Sequence, residues 1–123
     1  MKDRCMGAVF VLFLLALFVS AQSSNSGNPA PTFTGEIMDS ICAPSGSHPA
    51  MMGKDPGMGH DKDTCTKQCA RLGGKYVLYD PSTREVYALD NQTEAGSFAG
   101  REVRITGSST GKNIQVVSIV PLS

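Results

Sequence analysis

A chain of 123 residues has room for one small domain and little more. Its 11 basic and 11 acidic residues balance, and no basic stripe runs along it, so a nucleic-acid partner is not expected. Sulfur and imidazole are concentrated: three of the four cysteines, three of the six methionines and both histidines fall between Cys42 and Cys69.

The N-terminal segment "MKDRCMGAVFVLFLLALFVSAQ" carries Lys2 and Arg4, partly offset by Asp3, ahead of an apolar run from Val9 to Val19. Val19-Ser20-Ala21 then presents small residues where a signal peptidase reads. Residues 1–21 therefore read as a secretory signal peptide cut between Ala21 and Gln22, too short and wrongly flanked for a membrane span. A retained anchor is the competing reading. After cleavage no stable membrane anchor would remain, Cys5 would be lost, and the expected location is secreted or periplasmic. Residues 22–31, "QSSNSGNPAP", lack apolar groups to bury and read as a disordered leader. The folded domain is expected over residues 32–123, as a monomer.

"TFTGEIM" (Thr32 to Met38) alternates Phe33, Gly35 and Ile37 with polar neighbours, which predicts a first strand. The loop from Ala43 to Gly59 holds four glycines and three prolines, so no regular element is expected there. Asp61, Asp63 and Thr64 offer helix caps. Cys65, Cys69 and Leu72 follow at helical spacing on one face, and Gly73-Gly74 stops the helix. A helix of two to three turns cannot stand alone, so this face must pack on something.

Beyond it the pattern is β. Lys75 to Asp80 and Arg84 to Asp90 form a hairpin through "PST". A helical turn is expected around Glu94 to Phe98, then strands at Arg101 to Gly107 and Asn113 to Val120. Alternation predicts an inward set of Phe33, Ile37, Val77, Tyr79, Val86, Ala88, Val103, Ile105, Ile114 and Val116. Five short strands close most simply as a small barrel, which removes sheet edges. The fold class is mainly β, a five-stranded barrel with one short helix after the first strand.

Several pieces carry a resemblance: "GEIMDSICA", a histidine ahead of "CTKQC", "GGKYVLYD" with "REVYALDNQ", "FAGREVRITGS" and "IQVVSI". Together, over Phe33 to Val120, the chain resembles a family of small secreted bacterial proteins with an OB-fold-like domain of unknown function. The resemblance implies an OB-like barrel and an extracytoplasmic location, and it implies no established activity. This chain departs from the family pattern in its long Met-rich loop between Cys42 and Cys65, and His60 stands five residues ahead of Cys65.

Cys42, Cys65 and Cys69 are the candidate functional residues, with three readings. Cysteines outside the cytoplasm are usually paired. Cys65 and Cys69, one helical turn apart, suit a mutual bridge poorly, which leaves Cys42 as the partner for either. That staple closes a loop of about 24 to 28 residues, worth on the order of 3 kcal/mol, and leaves one thiol spare. The second reading is a metal site: the three cysteines with His60 or His48 suit zinc, and Met51, Met52 and Met58 add soft thioethers that favour copper(I). The third is thiol–disulfide exchange, which lacks the C-x2-C spacing and βαβ context of thioredoxin-like motifs. Asp39 and Ser40 read as turn caps in the first place, and otherwise as groups that support the ligands of a site. Asn91-Gln92-Thr93 fits a glycosylation acceptor only in a eukaryotic secretory route. No Ser-His-Asp order, phosphate loop or carboxylate pair is present, so a non-catalytic binding or structural role is expected, with copper or zinc the only cofactors in view.

Overall fold

The computed structural model describes residues 27–49, 52 and 56–123. The signal segment, the cleavage pair Ala21 and Gln22, the first half of the leader (residues 22–26), and Met51 lie outside the described residues. Five strands, β1 (Thr32–Asp39), β2 (Tyr76–Asp80), β3 (Glu85–Leu89), β4 (Glu102–Thr110) and β5 (Asn113–Pro121), close into a barrel in the order β1-β2-β3-β5-β4. Helix α1 (Lys62–Arg71) lies between β1 and β2, and α2 (Gln92–Gly96) between β3 and β4. The β3–β5 contact is parallel, and the other four pairings are antiparallel. The architecture is that of an OB-like barrel.

The barrel interior is Ile37, Leu78, Leu89, Val103, Ile105, Ile114 and Ile119, joined by Ala95 of α2. Phe33 and Tyr87 pack against it, their ring centroids 5.7 Å apart. On β1 and β4 the alternation predicts this set correctly, because Thr34 and Glu36 on β1 and Glu102 and Arg104 on β4 hold the outer face. Lys75, Arg104 and Gln115 are exposed, as the register requires. On β5 the pairing passes from Thr106↔Ser118 to Gly107↔Val116, leaving Val117 as the extra residue of a bulge. Ile114, Val116 and Ile119 therefore all face the core although the last two stand an odd number of positions apart.

On β2 and β3 the expected register is wrong by one residue. Tyr76, Leu78, Tyr87 and Leu89 take the inward places, while Ala88 is exposed. Val77, Tyr79 and Val86 instead join a second core, built from Met38, Cys42, Ala43, Met58, Cys65 and Cys69. β2 is apolar on both faces because one lines the barrel and the other, with Val86 of β3, packs against the second core. Alternation cannot choose between two buried faces.

Two further expectations fail. Leu72 does not share the buried face of α1: it is the C-cap, past the last regular turn, and is 69% exposed. The loop after Cys42 is not without regular structure, since single 3-10 turns form at Ala43–Ser45 and Pro56–Met58. The second turn is held by Met58, which is buried against α1. Burying such a side chain is worth about 1.5–3 kcal/mol, enough to fasten this end of the loop. The expected helical turn falls at Gln92–Gly96, where Asn91 accepts the Glu94 N–H as its N-cap. Gln92 ties α2 to the sheet: its amide donates to the Tyr76 and Leu89 carbonyls and accepts the Tyr76 N–H.

Candidate metal centre

The site begins where β1 ends. Asp39 is fully buried, and its Oδ1 accepts the N–H groups of Ile41 and Cys42, both at 2.9 Å. This Asx turn swings the chain off the sheet and aims Cys42 beneath α1. The Ser40 hydroxyl accepts the Lys75 N–H at 3.0 Å, fastening the turn to the start of β2. The Cys42 carbonyl then accepts from the Ser45 N–H and hydroxyl. Gly46, in the left-handed region at φ 64°, reverses the chain, a conformation side chains resist. The reversal returns His48 to β1, where its Nε2 lies 2.6 Å from Glu36 Oε1. Lys62 Nζ, 2.8 Å away, holds the other Glu36 oxygen.

Helix α1 supplies the remaining sulfurs. Asp61 caps its N-terminus, accepting the Thr64 N–H at 2.8 Å and the Thr64 hydroxyl at 2.9 Å. Asp63 in the first turn and Arg71 in the last suit the helix dipole. Cys65 and Cys69, one turn apart, are fully buried toward Cys42.

The three Sγ atoms lie within 4.8 Å of one another. Tetrahedral zinc, with bonds near 2.3 Å, needs sulfurs about 3.8 Å apart, so small rotamer shifts would close the set on an ion. The three are free thiols, and the Cys69 S–H donates to the Met58 thioether at 3.9 Å. A second group shares Cys42: donor atoms of Asp39, Cys42 and His48 also lie within 4.8 Å of one another. Asp39 Oδ2 and His48 Nδ1 are buried without a hydrogen bond.

Electrostatics keep the metal-free thiols protonated. Burial raises the pKa of Cys42, Cys65 and Cys69, and the Asp39 carboxylate raises each further. A bound cation reverses that logic, because it stabilises the thiolates directly. At Glu36 burial pushes the pKa up, but hydrogen bonds from His48 and Lys62 outweigh it and hold the carboxyl below its ordinary value.

Of the residues singled out in the sequence, Cys42, Cys65, Cys69 and Met58 come together in one cluster. Met52 is half-buried on its flank. His48 reaches Cys42, whereas His60 is exposed just before α1 and belongs to neither ligand group. Asp39, read as a turn cap, does cap the turn and is also a candidate ligand. Glu36, which orients His48, gave no signal beyond being polar on a half-buried strand.

Fold and site together define a class: an OB-like barrel with a buried three-cysteine cluster between the outer face of its sheet and a short helix. No protein-family model, curated protein or solved structure matches this chain. Among the described residues, no helix is long and apolar enough to cross a membrane.

Proposed function

We propose that this is an exported, non-catalytic metal-binding module in which Cys42, Cys65 and Cys69 hold a thiophilic cation, zinc or copper(I). One observation carries the reading: three buried sulfurs, from a turn and a helix, lie within 4.8 Å of one another. A staple uses two cysteines, and the convergence of a third fits coordination by three thiolates. The thioether of Met58 beside Cys69 is the feature that favours copper(I). Thiol–disulfide catalysis fits less well, since it needs an accessible cysteine inclined to ionise, and these are buried with raised pKa values. The compartment rests on the signal-like N-terminus and on the resemblance to small secreted proteins.

The test uses the reduced protein under anaerobic conditions. Addition of Zn2+ or Cu+ should protect all three thiols from alkylation, and competition with a chromophoric chelator ranks the two ions. Alkylation at an unchanged rate in the presence of either ion would sink the proposal. The second reading is a staple, because Cys42 lies within 4.8 Å of both helix sulfurs. Its signature is loss of two hydrogens in the mature protein, a single alkylatable thiol, and no metal.

A further inference from the structure

Cys42 belongs to two ligand groups, with Cys65 and Cys69 on one side and Asp39 and His48 on the other. The second group is as dry as the first: Asp39 is 0% and His48 3% exposed. In each of these residues one polar atom is engaged and the other is not. Asp39 Oδ1 accepts two backbone N–H groups while Oδ2 has no partner. His48 Nε2 is held by Glu36 while Nδ1 has none. Orphaned buried groups of this kind are costly. A cation between them would satisfy both. A carboxylate gripping the far nitrogen of a histidine is also how metal-bound imidazoles are commonly oriented.

Charge points the same way. Once metal-bound, Cys42, Cys65 and Cys69 as thiolates and Asp39 as carboxylate carry four negative charges in one buried volume. One divalent cation leaves two of them uncompensated, and a second leaves none. Glu36 and Lys62 pair with each other and do not alter that balance.

We propose that Asp39, Cys42 and His48 hold a second divalent cation of the zinc class, bridged through the Cys42 thiolate to the ion on Cys65 and Cys69. The mixed oxygen, nitrogen and sulfur donors suit zinc better than copper(I). A cavity of about 350 Å³, lined by Glu36, His48, Met52, Lys62 and Tyr79, opens beside His48. The inference rests on the three-cysteine reading.

Native mass spectrometry of the reduced full chain, loaded with excess Zn2+ and desalted, tests it. Two zinc ions per chain are expected, with all three thiols protected from alkylation. His48→Gln keeps a donor toward Glu36, and Asp39→Asn keeps an acceptor for the turn. Each should lower the count to one while thiol protection persists. A wild-type count of one with protected thiols overturns the second position and leaves the three-cysteine site standing. A count of two in both variants also overturns it. A count of zero overturns both readings.

Discussion

The Asp39 carboxylate, wholly buried, accepts the backbone N–H of Cys42 at 2.9 Å through one oxygen and leaves the other without a hydrogen bond. One side chain thus sets the turn that aims a cysteine and places an unpaired negative charge beside it. Both effects are separable by substitution. In the metal-free protein Asp39→Ala should lower stability by about 1–3 kcal/mol, because the Ile41 and Cys42 N–H groups lose their acceptor. Asp39→Asn should cost less, since its carbonyl can still accept. Urea unfolding of the reduced protein compares them, and equal losses would show that the turn does not depend on the acceptor.

Met58 must be tested with its packing in mind. It is 6% exposed in the second core, so Met58→Ser should cost about 2–5 kcal/mol whether or not metal binds. Met58→Leu keeps the volume and should cost less than about 1.5 kcal/mol. If the thioether serves copper, Met58→Leu should weaken Cu(I) competition while leaving zinc affinity unchanged. Unchanged Cu(I) affinity would leave Met58 as packing alone.

Gly35 marks a close approach between β1 and β2. A Cβ there would sit 2.2 Å from the Tyr79 carbonyl oxygen, an atom of β2 backbone that cannot rotate away. Gly35→Ala should therefore force β1 from β2 and destabilise by about 1–3 kcal/mol or more. Denaturant midpoints of the variant and the parent decide it; a midpoint equal to the parent's would mean that the strands yield freely.

The cap of α1 gives the chain a measurable acid dependence. The Thr64 N–H, and then its hydroxyl, hold the Asp61 carboxyl below its ordinary value of 3.8. A lowered folded pKa means stability that is present above 3.8 and lost as pH falls through the folded value. Asp61→Asn should be less stable than the parent at neutral pH, and the gap should close in strong acid. A gap independent of pH would place the effect of Asp61 in hydrogen-bond geometry rather than charge.

The register of β2 and β3 can be checked by paired truncations. Leu78→Ala should cost about 2–5 kcal/mol, as for a buried core residue, while Ala88→Ser, on an exposed position, should change stability by no more than about 0.5 kcal/mol. A large cost at Ala88 with a small one at Leu78 would restore the alternation originally expected.

Much of the barrel was legible along the chain. Phe33 and Ile37 on β1 alternate with Thr34 and Glu36, Val103 and Ile105 on β4 with Glu102 and Arg104, and Ile114 on β5 with Asn113 and Gln115, because the outer face there is polar. Local chemistry also marked the helix: Asp61 caps it, and Cys65 and Cys69 share its buried face. Where both faces of a strand are buried, as at Val77 and Leu78, the pattern carries no sign, and only the position of α1 over the sheet selects the register. The choice of histidine was equally closed to spacing. His60 lies near Cys65 in the chain and His48 near Cys42, but a left-handed turn at Gly46 and the carboxylate of Glu36 bring His48 to the site and leave His60 in solvent. Periodicity reports what one element needs. Which ligands converge depends on how separate elements cover one another, and that is a property of the packed whole.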